Sequence, residues 1–298
     1  MAVSIAIIGF NGILGKPVYE ALTSDAFRLK VKEIKVVSRS DPKQPLPGVE
    51  YVIGDVSNES EVTKLAQGVG SVDAVISLVG LNPAVNPGLE AFLAQVKPQL
   101  YIPSDFSGDI EQTEKLVPGS VGFQAIHSET VRQLGIKVAD VYTGLFHEPG
   151  TLPENFAQYF GISPDGSTVV RGDVSTETSV TSVRDVGRVL AAIATFPDYS
   201  KLPDFIKVES DKVSYTDVHQ AWSAFHGKPI NITRTVTKEE ALEEVKNDMA
   251  TNGFDHAKLA FYLHSLTSQG APGGLVFTET HNDLLNPGIW EWEKFQRA

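Results

Sequence analysis

The sequence predicts an α/β chain, with an open, doubly wound parallel sheet in its first half and a smaller, mostly helical lobe after it. Three observations predict this. Short apolar runs alternate with helical patterns through residues 1–150. The first apolar run ends in Gly9, Gly12 and Gly15, at the mouth of a helix. Beyond Glu148 the alternation fades, where Pro149-Gly150 and Leu152-Pro153 break the chain. Strands that alternate with helices build βαβ units, and such units give a parallel sheet covered on both faces.

In order along the chain, apolar runs predict strands over 4–8, 33–38, 50–53, 74–77, 100–103 and 137–142. Between them the spacing of apolar residues predicts helices over 16–23, 60–66, 86–95 and 124–134. Ligands of such sheets bind beyond the carboxyl ends of the strands. The segments of interest are therefore 9–15, 38–40, 54–56, 78–80, 104–108 and 143–147. Further on, Ser163-Pro164-Asp165-Gly166-Ser167 reads as a hairpin turn and Ser182 as the cap of a helix. An amphipathic helix over 215–225 stops at Gly227, and a helical pair over 238–250 and 254–263 is separated by Asn252-Gly253. Residues 1–150 are expected to form a nucleotide-binding domain. Residues 151–298 are expected to form a lobe over the open edge of its cleft, with segments returning to the first domain.

Composition narrows the function classes. Of 298 residues, 42% are hydrophobic and 21% charged, as in soluble globular proteins. A formal net charge of -12 opposes binding along a nucleic-acid backbone or an anionic membrane, while a local basic pocket can still take a small anion. With no cysteine, disulfides, thiolate-bound zinc and thiol catalysis are excluded, and a reducing compartment suits the chain. The first apolar run is short and lacks a basic lead, so it is expected to be a buried strand and not a signal peptide. No apolar stretch nears the roughly 20 residues of a membrane helix. The expectation is a cytoplasmic protein that acts on a small molecule, with a protein partner only if it is regulatory.

The glycine loop carries the strongest chemical signal. In Gly9-Phe10-Asn11-Gly12-Ile13-Leu14-Gly15, free backbone N–H groups and a positive helix end face one spot, and side chains at the glycines would block an anion's approach. That is the pyrophosphate site of a Rossmann-type dinucleotide fold. After the second strand the chain reads Ser38-Arg39-Ser40, with no acid until Asp41. A carboxylate here would repel a 2′-phosphate, whereas a guanidinium grips it with paired, charge-assisted bonds. Arg39, with Ser38 and Ser40 as hydroxyl donors, therefore points to NADP(H) over NAD; the alternative is a solvated loop cation. Asp55 and Val56 end the third strand, where Asp55 either meets the adenine edge or caps a turn. Leu78, Val79 and Gly80 follow the fourth strand, and Pro103, Ser104, Asp105 and Phe106 the fifth, so these residues border the rest of the cofactor. Asp105 is equally placed to cap the loop behind it.

These residues resemble the NmrA-like group of atypical short-chain dehydrogenases/reductases, which includes the isoflavone reductases and related ether and lignan reductases; the likeness is greatest to fungal members. The matches are the Gly-x-x-Gly-x-x-Gly loop, Arg39, and Tyr101-Ile102-Pro103-Ser104-Asp105-Phe106-Ser107, which is similar to the family's Pro-Ser-Glu-Phe-Gly stretch. Later matches are Thr143-Gly144-Leu145-Phe146, Ser182-Val183-Arg184-Asp185-Val186-Gly187-Arg188 and Leu284-Leu285-Asn286-Pro287-Gly288. The resemblance implies NADPH in a Rossmann domain, a lobe that shapes a pocket over the nicotinamide, and reduction of a small aromatic or secondary-metabolite substrate. It also implies that Gly144, Phe146 and His147 face the substrate.

Two departures stand out. No tyrosine is followed by lysine at the Tyr-x-x-x-Lys spacing of the classical enzymes. The lysine that the reductases carry on the next helix is missing too, because Gly122 to Leu134 contains none. Counting back from Leu134 puts His127 in its place; counting forward from the phenylalanine puts Ile126 there. His127 is the catalytic candidate, since imidazole donates or accepts protons near neutral pH. The alternative is a histidine on an exposed helix face. Tyr142 reads as a packing residue before a phenolic acid. Neither a metal-binding His-x-x-x-His nor a Gly-x-Ser-x-Gly elbow occurs, so no metal and no serine hydrolase is expected. The leading expectation is an NADPH-dependent reductase. The alternatives are an NADP(H)-sensing regulator and a non-redox isomerase or cyclase on the same fold.

Overall fold

A computed structural model describes residues 2–298. Strands β1 (Val3–Ile8), β2 (Val31–Ser38), β3 (Val49–Ile53), β4 (Ala74–Ser77), β5 (Leu100–Ile102) and β6 (Lys137–Val138) form one sheet in the order β3-β2-β1-β4-β5-β6. Every pair in it is parallel. The order reverses between β1 and β4, and the cleft opens there. β1 shows why the run had to be apolar throughout. Ile5 and Ile7 enter the core on one face of the sheet, while Ala6 and Ile8 enter the core on the other.

Helix α1 (Gly15–Thr23) follows β1, α2 (Glu59–Val69) follows β3, α3 (Asn86–Val96) follows β4, and α4 (Ile110–Leu116) and α5 (Gly122–Gln133) both follow β5; α6 (Glu154–Gln158) and α7 (Val183–Ala194) come next. Val62, Leu65, Ala66 and Val69 of α2 are buried at helical spacing, and Asn58 caps the helix by accepting from the Ser60 N–H. α7 starts at the predicted cap, where Ser182 Oγ accepts the Asp185 N–H at 2.9 Å. It returns to pack on α1. A Cβ at Gly187 would lie 2.5 Å from the Pro17 carbonyl carbon, so glycine is what lets the two helices meet.

The strand predicted over 137–142 is broken at Ala139. β6 closes the main sheet, whereas β7 (Asp140–Tyr142) leaves it to pair with β11 (Phe205–Lys207). Buried Asp140 explains the break. Its carboxylate accepts from Ser128 Oγ at 2.6 Å and pairs with Arg132, and its N–H donates to the Asp204 carbonyl at 2.8 Å. The chain then crosses the end of β5, where Thr143 and Gly144 both donate N–H bonds of 3.0 Å to the Ser107 carbonyl.

In the second lobe, β8 (Leu145–His147), β10 (Glu177–Ser182) and β12 (Asp211–Ser214) form one sheet, and β9 (Ser167–Arg171) pairs with β13 (Asn231–Val236). Helices α8 (Tyr215–His226), α9 (Lys238–Asn252) and α10 (Leu259–Thr267) pack with them around Phe156, Phe160, Tyr215 and Trp222; α11 (Asn282–Leu285) sits against α7. Capping boxes at Ser214/Asp217 and Thr237/Glu240 start α8 and α9. α10 begins later than the predicted 254, because Asp255 accepts the Ala257 N–H and sets a tighter turn first. Among the described residues, no helix is long and apolar enough to cross a membrane.

Two buried histidines of this lobe make it acid-sensitive. Burial, helped by Arg171 and His219, pushes His264 down to about 3. Burial pushes His147 down to about 4 against the pull of nearby carboxylates. Both are neutral in the fold but take up protons below about 6.5 when unfolded. Their contribution is therefore complete above that value and is lost as pH falls, by up to about 1.4 kcal/mol per histidine per unit. Denaturant titrations between pH 7 and pH 5 should show stability falling, and His264→Asn should flatten that slope; an unchanged slope contradicts the assignment.

Candidate functional site

The loop after β1 is shaped by two kinds of glycine. Gly9 has φ +82°, and a Cβ there would sit 2.8 Å from the Leu78 carbonyl carbon. A Cβ at Gly15 would lie 1.7 Å from the Phe10 carbonyl oxygen. These two are demanded by the protein itself. A Cβ at Gly12 would meet nothing closer than the Gly9 oxygen at 3.5 Å, and one at Gly80 nothing within 4 Å. At those two the fold tolerates a side chain, and only a ligand pressed against the backbone needs its absence. Bonds of 3.2 and 3.3 Å from Gly12 to Gly9 and from Gly15 to Gly12 hold the loop. The N–H groups of Asn11, Ile13 and Leu14 have no acceptor among the described residues. With no acid in the first turn of α1, this is an anion cradle.

One cleft of about 430 Å³ runs from this cradle across β2 and β3. The cofactor candidates Gly9, Asn11, Gly12, Ser38, Arg39, Asp55, Val56, Leu78, Val79 and Gly80 come together in its lining. Arg39 is exposed at its rim and makes no ion pair among the described residues. Ser38 Oγ donates to the Ser40 carbonyl at 2.8 Å; Ser40 itself is exposed and lies outside the lining. Asp55 Oδ1 accepts from Ser57 Oγ at 2.7 Å and the Ser57 N–H at 2.9 Å. Those bonds, with nearby Arg39, hold its carboxyl below the usual range. Asp55 thus caps the turn and lines the cleft as well. Ser57 also lines it, with no signal in the sequence beyond its place after Asp55.

A second cleft, of about 450 Å³, meets the first at Leu78 and Gly80. Gly144, Phe146 and His147, the substrate candidates, line it together with Ile13, Leu14, Ser104, Asp105 and Phe106, which the sequence assigns to the cofactor. Gly144 has φ +64°, and its Cβ would lie 2.0 Å from the Ser179 carbonyl oxygen, so β10 passes hard against the segment. His147 is buried and neutral, edge-on to Phe295 with ring centres 5.9 Å apart. Tyr159, Leu259 and Leu263 complete the far wall from the second lobe. Leu259 and Leu263 were legible only as one helical stripe.

Asp105 is buried under the floor of this cleft, with one oxygen accepting the Gln124 amide at 2.7 Å. Burial and the negative charge of Asp140 push its carboxyl well above the ordinary range. Beside it lies an alcove of about 30 Å³, room for about one water, lined by Pro103, Tyr101 and His127. His127 Nε2 meets the Tyr101 hydroxyl at 2.9 Å, and Nδ1 meets Glu90 Oε1 at 2.8 Å. His127 is therefore enclosed and occupied at both nitrogens, lining neither large cleft, and it is not on an exposed face. Its neighbour Ile126 is the outward residue, 69% exposed. Tyr142 is buried against Phe205, where burial pushes its phenol up, and it lines neither cleft.

The NmrA-like family model matches residues 1–265. Leucoanthocyanidin reductase from Vitis vinifera, solved with NADPH, superposes with a TM-score of 0.71 at 15% identity, covering 97% of this chain and 96% of that one. AtPrR2, solved with NADP+ and (+)pinoresinol, gives 0.69 at 16% identity over 99% and 96%. An isoflavone reductase gives 0.67 at 16% identity over 100% and 97%. At such identities the shared property is the fold. No curated protein sequence matches the chain. With the six-stranded parallel sheet, the glycine cradle and a family match over most of its length, the chain belongs to the NmrA-like family.

Proposed function

We propose that the chain is an NADPH-dependent reductase of small aromatic or secondary-metabolite substrates. One observation carries the reading: the glycine cradle has Arg39 at one end and, past Gly80, opens at the other into a largely apolar cleft. Asn11, Ile13 and Leu14 direct N–H groups at the pyrophosphate, Gly12 keeps its path clear, and Gly9 and Gly15 hold the loop in the shape that binds it. Arg39, assisted by Ser38 and Ser40, holds the 2′-phosphate, while Asp55 and Val56 flank the adenine. Leu78 to Gly80 and Pro103 to Phe106 place the nicotinamide end at the junction of the two clefts. When bound there, NADPH supplies the hydride. Gly144, Phe146 and His147 shape the substrate cleft. His127 acts as a positioning residue, by fixing Tyr101 behind Ser104. Residues 1–150 chiefly serve the nucleotide and 151–298 the substrate, with Gly144 to His147 joining the second lobe and α7 returning to the first domain. The NADPH and (+)pinoresinol of the similar structures support this reading.

The enclosure of His127 favours a second reading. A helix with no lysine, whose histidine is tied at both nitrogens, suits an NADP(H)-sensing protein that performs no turnover. Loss of NADPH absorbance in the presence of enones, imines and quinones separates the two. Oxidation with any of them supports the reductase. Tight NADPH binding without oxidation by any supports the sensor.

A further inference from the structure

A second, smaller cavity opens off the substrate cleft. It lies between α4, α5, α9 and α10 and measures about 60 Å³. Val117, Val245, Met249, Leu266 and Leu275 form its body. The polar side chains around its body turn their donors elsewhere, and Ser107 sits at the mouth shared with the cleft. Thr113 Oγ1 donates to the Gly273 carbonyl at 3.2 Å, and the Tyr262 hydroxyl donates to Asp248 at 2.8 Å. Gln124 commits its amide N–H to Asp105 at 2.7 Å, and Ser120 Oγ points to Glu114 at 3.4 Å. A water inside would find few partners, and a cavity walled this way stays dry.

Leu81, Leu259 and Leu263, together with Ser107 and Gln124, line both this cavity and the substrate cleft, so they form its threshold. Its volume is well under the roughly 150 Å³ of a cavity that accepts benzene. A planar ring is too large, whereas a compact branched group fits. Charge points the same way. Among the described residues that line cleft and cavity there is no lysine or arginine, and Glu148 and His256 are the ionisable groups toward the cleft's outer edge. A carboxylate or phosphate ligand would have no counter-ion there.

We infer that this cavity is a specificity pocket for a compact, branched apolar substituent on an uncharged ligand whose body lies in the adjoining cleft. The inference rests on the reading of that cleft as the substrate site. It goes further by specifying what the substrate carries: a group of about two or three carbons, since the cavity is well under half the size of one that accepts benzene. Each methylene buried in the pocket should tighten binding by about fourfold.

Crystals of the wild-type chain equilibrated with xenon test the pocket directly, because xenon enters dry apolar cavities. Xenon density between α4 and α10 is expected; ordered water there, or no density, overturns the proposal. Calorimetry with 4-isopropylphenol and phenol then tests the ligand class. The isopropyl compound should bind at least roughly tenfold tighter. Val245→Phe, which fills the pocket, should remove that preference, and Leu263→Phe at the threshold should do the same if the first variant folds poorly. Equal affinity for the two phenols, or a preference that survives both substitutions, overturns the inference. None of these measurements involves a nucleotide. Failure here is therefore distinct from failure of the reductase reading, which titration with NADPH reports.

Discussion

Gly15→Ala is expected to eliminate binding of pyridine nucleotides and to lower stability by about 3 kcal/mol or more. The added Cβ would lie 1.7 Å from the Phe10 carbonyl oxygen and 2.6 Å from its carbon. Both are backbone atoms, so no side-chain rotation relieves the clash. Either the loop 10–14 moves, which dismantles the anion cradle, or α1 moves. Movement of α1 is opposed on its other side, where Gly187 of α7 closes on Pro17. Gly12→Ala supplies the contrast. Its Cβ would meet Gly9 at an ordinary 3.5 Å, so the thermal midpoint should stay near that of wild type while the methyl group intrudes on the ligand's path. Thermal denaturation and calorimetry on the two variants separate a fold effect from a binding effect. Wild-type stability with intact binding in Gly15→Ala contradicts the steric account.

Arg39→Ala should weaken NADPH by ten- to a hundredfold or so, while NADH stays within about twofold. A charge-assisted bond between a guanidinium and a phosphate contributes about 1.5–3 kcal/mol, and NADH has no 2′-phosphate to lose it. Arg39 is exposed and makes no ion pair among the described residues, so its removal should leave stability unchanged. Arg39→Lys should fall between, because the ammonium keeps the charge but not the planar fork. Added salt should narrow the gap between the nucleotides in the wild-type chain, since the contact lies at the surface. An unchanged NADPH preference in Arg39→Ala assigns the 2′-phosphate to another group.

The parts of the fold legible in the sequence are those that local pattern dictates. Ile5 to Ile8 must be apolar on successive residues because β1 is buried on both faces, and such a run is conspicuous. Arg39 was legible because it directly follows a strand whose end faces the cleft. The departure of β7 from the sheet was not, because it depends on Asp140 meeting Ser128, Arg132 and Asp204, none adjacent to it in the chain. Strands β9 to β13 pair over long separations, as β9 does with β13, and lack the continuous apolar run of β1; β13 is exposed along all but its last residue, so no pattern marks it. His127 illustrates the same limit at the site. The sequence names the residue, but Glu90, 37 positions earlier, and Tyr101 decide where its ring nitrogens go. The dry cavity between α4 and α10 left no trace either, since it is a property of how four helices meet.

Calorimetric titration of the wild-type chain with NADPH, and separately with NADH, tests the central claim most directly. One NADPH per chain, bound at least roughly tenfold more tightly than NADH, is the predicted result for a guanidinium facing the 2′-phosphate. Absence of heat with either nucleotide, or equal affinity for both, contradicts it.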